Sequence, residues 1–247
     1  VNEQLQLPAQ YVAFSGGKDS TAMAYRMAEM KEAFALLYTP TGNELPELDA
    51  HIRRVVADLG VPLATPRNHD LEFWIREYEA LPNNRQRWCT RQLKVEVCAA
   101  YLSLRPGSTL CVGLRADEME RKGAAYSGIT YRCPMQEWGW KLADVTDYLA
   151  AKGITVPRRT DCAWCYDQRL GEWWRLWKNH PDVWRRGESL EAEISLARGE
   201  RRSFRSPSRD TWPAPLIDLR RRFEAGERPR GSDDADAETT RCRECTL

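Results

Sequence analysis

Lysine is scarce in this chain of 247 residues: of 37 basic side chains only seven are lysine, and arginine supplies the rest. Arginine excess of this kind also follows genomic base composition, so it is given no functional weight. Net charge is almost missing too, since 36 acidic residues leave a formal balance of +1. That excludes a bulk polyanion binder working through net charge alone. No run of about 18 apolar residues occurs, so no transmembrane helix and no membrane partner are expected. The first ten residues lack a basic n-region and a long apolar h-region. No signal peptide is therefore expected, and the expected compartment is a reducing cytoplasm. Histidine is limited to His51, His69 and His180. The first two join no constellation, and His180 before Pro181 reads as a helix end. No internal repeat is evident.

What is present is 42% hydrophobic residues, ten tryptophans and eight cysteines. The length suits one large domain, or one domain with a tail. In a reducing compartment the cysteines read as metal ligands, reactive thiols or buried apolar residues rather than a disulfide framework.

The apolar run Tyr11 to Phe14 reads as a buried parallel strand, followed by a helix from Ser20 to Glu32. Phe34 to Tyr38 is a second strand, Pro46 to Leu59 a helix, and Val61 to Ala64 a third strand. This β-α-β-α-β order predicts an α/β fold, a Rossmann-like parallel sheet with covering helices. Further helices are expected over Leu71 to Leu81, Thr90 to Leu102, Leu142 to Lys152, Gly171 to Asn179 and Val183 to Leu196, with a strand over Thr109 to Gly113. From Arg198 to Leu247 the chain carries 12 Arg, 10 acidic residues and no Lys, and apolar periodicity fades except near Leu216 to Phe223. The expected division is a catalytic domain over 1–197 and a partly disordered, Arg-rich tail over 198–247.

Ser15-Gly16-Gly17-Lys18-Asp19-Ser20 lies between the first strand and the first helix. Two glycines let the backbone turn tightly, and the N–H groups of the helix start then face an anion. Ser15 and Ser20 add hydroxyl donors and Lys18 a charge. The Walker A spacing is absent.

This string resembles the PP-loop of adenine nucleotide alpha hydrolase-like enzymes. Other segments resemble the phosphoadenosine phosphosulfate (PAPS) reductase family within that group. They are Thr41-Gly42-Asn43-Glu44, Cys89 with Lys94, Gly113-Leu114-Arg115-Ala116-Asp117-Glu118 with Arg121, Cys133-Pro134 through Trp138, and Cys162-Ala163-Trp164-Cys165. They occur in the family's order across roughly residues 10 to 196. Met119 stands where the family usually has Ser.

The resemblance implies an adenine nucleotide, ATP or PAPS, on the loop. Its binding set would be residues 15–20 with Thr41, Gly42, Glu44, Gly113, Arg115, Asp117 and Glu118. Arg115 and Arg121 would contact phosphates through a guanidinium fork. Asp117 or Glu118 would hold Mg²⁺, and Glu44 would orient the adenosine side or a metal. Lys18, Asp19, Arg115, Arg121 and Cys245 are the catalytic candidates.

Two thiolates three residues apart, as in Cys162-x-x-Cys165, can share a metal or form a redox pair. The resemblance adds Cys89, and Cys133 as a fourth, toward a [4Fe–4S] cluster; structural zinc and plain reduced thiols are the alternatives. Cys98 and Cys111 lie in apolar patterns and read as core. Cys242 and Cys245 sit in a final segment similar to the nucleophile-bearing tail of sulfonucleotide reductases, where flanking Arg241 and Arg243 would favour a thiolate. Trp138, Trp140, Trp164, Trp173, Trp174, Trp177 and Trp184 crowd one region. They read as core packing, with a base-stacking surface as the alternative, since Arg169, Arg175, Arg185 and Arg186 are interleaved.

The leading expectation is ATP-dependent activation coupled to sulfur transfer with an iron–sulfur cluster, the acceptor being a nucleic acid or small molecule and a protein supplying sulfur or electrons. The alternatives are PAPS or adenosine phosphosulfate reduction through Cys245, and a non-catalytic nucleotide-binding subunit.

Overall fold

A computed structural model of the protein describes residues 9–120, 129–230 and 232. The chain runs β1 (Gln10–Ala13), α1 (Lys18–Glu29), β2 (Phe34–Leu37), α2 (Pro46–Leu59), β3 (Leu63–Ala64), α3 (Leu71–Tyr78), α4 (Trp88–Thr90) and α5 (Glu96–Ser103). It continues through β4 (Thr109–Cys111), β5 (Thr130–Arg132), α6 (Pro134–Glu137), α7 (Leu142–Ala151), α8 (Leu170–Asn179), α9 (Pro181–Arg198) and α10 (Leu216–Glu224). Cα packing separates the described residues into two compact units, one of residues 9–68 and 92–161, the other of 69–91 and 162–230 with 232.

The first unit is built on a five-stranded sheet in the order β3-β2-β1-β4-β5, parallel at every pairing. Strands buried on both faces need apolar residues at every position, and β2 is buried throughout as Phe-Ala-Leu-Leu. The pleat sends alternate residues to opposite faces. Val12, Leu36 and Cys111 join one core with Met23, Ile52 and Val145 of α1, α2 and α7. Tyr11, Leu37 and Leu110 join the other with Cys98 and Leu102 of α5. The sheet grows in one direction from β1 to β3 and then in the other from β4 to β5. The crevice at that reversal, at the carboxyl ends of the strands, is where open α/β sheets bind ligands.

The expected α/β architecture is therefore the observed one, with local differences. The fifth strand was not anticipated, because Thr130-Tyr131-Arg132 has no apolar run to announce it. The helix expected from Thr90 begins at Trp88 and passes through a π-helical turn, Arg91–Val95. The helix expected to reach Leu81 stops at Tyr78, where Glu79 adopts φ 44°.

The second unit is helical. Trp164, Trp173 and Trp184 are at most 1% exposed. Trp164 donates its indole N–H to the Val183 carbonyl (3.0 Å) and stacks on Phe204. Gly187, within α9, faces Trp164 closely enough that a Cβ there would fall 2.8 Å from the indole nitrogen. The disorder read from composition after Arg198 does not extend to the described residues of that stretch. Phe204, Arg205, Leu216, Leu219 and Phe223 are buried. Glu191, itself buried, accepts the backbone N–H of Phe204 (2.9 Å) and of Leu216 (2.7 Å) and so closes the segment onto α9. Burial pushes the Glu191 carboxyl up to about 8 against the pull of those two N–H donors.

Candidate active site

The loop between β1 and α1 is an internally bonded turn. Gly16 adopts φ +73°, and a Cβ there would fall 2.5 Å from Leu48 Cδ1 of α2, so only glycine fits both the backbone and the space. The Gly17 N–H donates to Ser15 Oγ (3.2 Å). Ser20 Oγ donates to the Gly17 carbonyl (3.1 Å) and accepts the Ser15 N–H (3.3 Å). The Ser20 hydroxyl proton is thus used in closing the turn. Helix α1 starts at Lys18, with no side-chain hydrogen bond from Gly17 capping it. A first helical turn leaves its N–H groups without intrahelical acceptors, which suits an anion. The Lys18 side chain keeps 23% exposure and its Nζ lies 3.8 Å from Asp19.

Asp19 points inward. It is 2% exposed and accepts Arg115 Nη1 at 3.0 Å. Arg115, equally buried, also bonds Asp117 (2.9 Å) and lies 3.5 Å from Glu118. Its guanidinium therefore faces three carboxylates and holds the loop to the segment after β4. Burial pushes the Asp19 carboxyl above its ordinary range, with Lys18 and Arg115 opposing. For Asp117 burial acts upward, but the Arg115 bond prevails and holds it below that range. Asp117 and Glu118, the expected Mg²⁺ ligands, are thus engaged with Arg115. The oxygen that fits a cation is Asp19 Oδ1, which is buried and accepts no hydrogen bond. A single carboxylate completed by phosphate oxygens and water is an ordinary Mg²⁺ arrangement.

Glu44 holds its own loop together. Its carboxylate accepts the N–H and hydroxyl of Thr41 (both 2.6 Å) and the N–H of Gly42 (3.0 Å), closing the loop after β2. This closed loop borders a cleft at the strand ends, lined by Ser15, Thr39, Glu44, Lys94, Gly113 and Thr160 among others. Thr39 and Thr160 were not picked out from sequence. Thr39 directly follows a strand end, which is a usable signal; Thr160 lies in an irregular stretch with none. A Cβ on Gly113 would make only ordinary contacts with Asp19 and Ser20, so backbone approach does not demand glycine there.

The cysteines divide as follows. Cys98 and Cys111 are core, and burial pushes their thiols up to about 11 and about 12. Cys133 packs against the core beside β4 and β5 in the first unit, and burial with Glu137 raises its thiol. Cys89, Cys162 and Cys165 are half-buried in the second unit. The Cys165 N–H donates to the Cys162 carbonyl (3.1 Å), closing a turn. Cys89 and Cys165 both add to a rise in the Tyr166 hydroxyl, pushed up to about 12 mainly by burial. Among the described residues, however, no three Cys, His, Asp or Glu side chains come together as a metal-binding group. In the second unit Cys89, Cys162 and Cys165 are thus not drawn together in the way the expected [4Fe–4S] cluster or its zinc alternative would have them. The buried tryptophans likewise form packing rather than a stacking face. Arg121, Cys242 and Cys245 lie outside the described residues. No helix among the described residues is long and apolar enough to cross a membrane.

A glycine turn feeding a helix start at the reversal point of a parallel sheet defines an α/β protein of the PP-loop kind. A family profile described as "Phosphoadenosine phosphosulfate reductase domain" matches residues 9–158, and the chain belongs to that family and is an enzyme of that general kind. Similar solved structures include a phosphoadenylyl-sulfate (PAPS) reductase from Candida auris, at 17% identity and TM-score 0.48 over 62% of this chain and 77% of that one. The U34-tRNA thiolase NcsA from Methanococcus maripaludis, solved with its [4Fe-4S] cluster, aligns at 13% identity and TM-score 0.47 over 100% and 83%. An NH3-dependent NAD synthetase from Campylobacter jejuni aligns at 13% and 0.45 over 91% and 89%. A comparison with curated proteins found no match.

Proposed function

We propose that the chain is a sulfonucleotide reductase, taking PAPS or adenosine phosphosulfate in the cleft above β1, β2 and β4. The observation that carries this reading is the phosphate loop at the head of that cleft, in a chain of the PAPS reductase family. The α1 N-terminus and Lys18 receive the phosphate, while Asp19 and Arg115 hold the loop in place. Cys245 is the nucleophile. Its thiolate attacks the sulfonate sulfur, a sulfur–sulfur bond forms, and the sulfur–oxygen bond to the nucleotide phosphate breaks, so that the nucleotide leaves with its electron pair. A dithiol donor protein then attacks Cys245 sulfur, releases sulfite and closes its own disulfide.

A second reading, ATP-dependent activation of an acceptor for sulfur transfer, is favoured by Asp19 Oδ1, which is buried without a hydrogen bond. With ATP bound, Asp19 would hold Mg²⁺, which offsets the charge of departing pyrophosphate.

Anaerobic incubation with labelled PAPS, adenosine phosphosulfate and ATP in parallel tests both. The expected result is sulfite from a sulfonucleotide in the presence of a dithiol, lost in Cys245→Ser, with ATP inert. Pyrophosphate from ATP with both sulfonucleotides inert would replace the first reading by the second. Metal analysis of the same preparation is expected to find neither iron nor zinc in stoichiometric amount; iron would show that the cysteines rearrange around a cluster.

A further inference from the structure

We infer that His51 is a positioning residue for the phosphate loop, setting the first turn of α1 through Thr21 and linking it to the segment that leads to Thr160 in the cleft wall. The inference rests on the nucleotide reading of that cleft and assigns a task to a side chain outside the loop and outside every motif that points to the family.

Helix α2 lies directly against the loop. Where a Cβ on Gly16 would stand, Leu48, Ile52 and His51 all come within 3.6 Å. His51 is 2% exposed and Thr21 is fully buried, and His51 Nε2 lies 3.2 Å from Thr21 Oγ1. The other ring nitrogen, Nδ1, is 2.9 Å from Arg54 Nη2. A guanidinium only donates, so Nδ1 is an acceptor and the ring proton sits on Nε2, where it is donated to Thr21. Burial, with Arg54 adding to it, lowers the His51 pKa to about 4, so the ring stays neutral and in this one tautomer near neutral pH.

The same Arg54 Nη2 donates to the Thr155 carbonyl (2.6 Å). The chain from Thr155 runs to Thr160, whose Oγ1 lies 3.2 Å from where a Cβ on Gly17 would stand and which lines the cleft. One polar chain, Thr21 to His51 to Arg54 to Thr155, therefore ties the start of α1 to a cleft wall more than 130 residues away in sequence. Thr21 is the fourth residue of α1, one turn above the N–H groups that face the anion. A shift there tilts all of those donors together, whereas an adenosine moiety, bound elsewhere in the cleft, would not sense it.

The test uses the full chain, with ATP, PAPS and unphosphorylated adenosine as probes in calorimetry. His51→Phe keeps the ring volume against Gly16 and loses both hydrogen bonds. His51→Gln keeps a donor able to reach Thr21, and Thr21→Val removes the acceptor without changing shape. The expected result is about tenfold weaker binding of ATP and PAPS in His51→Phe and Thr21→Val, on the scale of one buried hydrogen bond. Adenosine binding is expected to stay within about twofold of wild type, and His51→Gln to recover most of the loss. Equal weakening of all three probes, or none, in the folded variants would overturn the inference. If wild type binds neither nucleotide, the reading of the cleft fails instead. Amide exchange over residues 16–21 then decides the positioning role: faster exchange in Thr21→Val supports it, and unchanged exchange removes it.

Discussion

Arg115 stands where a family motif puts an arginine, yet its surroundings are those of a structural cation. Three carboxylates converge on it, and it is 2% exposed. Removing one partner of a buried ionic cluster leaves the others charged and unpaired. Arg115→Met should therefore lower stability by about 3–5 kcal/mol in urea unfolding, because Asp19 and Glu118 would be stranded. A phosphate ligand would behave in the opposite way, leaving stability intact and weakening nucleotide binding alone. Gly16 gives a second prediction. Gly16→Ala meets both a positive φ and Leu48, and should abolish nucleotide binding even where the chain still folds, as calorimetry would show.

At the level of elements, the close approach of α9 to Trp164 offers a simple handle. Alanine in place of a mid-helix glycine normally stabilises by about 1 kcal/mol through propensity. At Gly187 the added methyl meets the indole at 2.8 Å and Leu216 Cδ1 at 3.0 Å, and the indole is a rigid ring, fully buried and hydrogen-bonded to Val183. Overpacking of this kind costs about 1–3 kcal/mol, so Gly187→Ala should lower the thermal midpoint. The elements also show what the sequence made legible. Strands β1 and β2 and helix α2 were readable because apolar period and length agree, and α2 begins and ends as expected. The phosphate loop was readable because its chemistry is contiguous. The periodicity near Leu216 to Phe223 was readable too and is helix α10. Strand β5 and the burial of Phe204 were not, since their apolar residues stand singly among polar ones and find partners only in three dimensions. His51 escaped for the same reason: its partner Thr21 is 30 positions away, and the Thr155 carbonyl that its neighbour Arg54 reaches is 101 positions from Arg54.

For the whole molecule, the two units carry buried titratable groups of opposite sense. His51 in the first unit is lowered to about 4 from 6.5, so its contribution to stability is complete above pH 6.5 and lost as pH falls toward 4. Glu191 in the second is raised to about 8 from 4.5, so its contribution is complete below pH 4.5 and lost as pH rises toward 8. Thermal unfolding followed across this range should show the first unit weakening with acid and the second with alkali. Glu191→Gln should flatten the alkaline limb and leave the acid limb unchanged; a parallel response of both limbs would contradict the assignment.

The tryptophans make that experiment readable by light. Only Trp138 and Trp140 of the ten belong to the first unit, and the other eight belong to the second. Intrinsic fluorescence is thus weighted heavily toward the helical unit, with several indoles close enough to exchange excitation, as for Trp173 and Trp184 at 6.2 Å. A melt followed by this signal would consequently report mainly on the alkaline-sensitive unit, and a melt followed by circular dichroism on both.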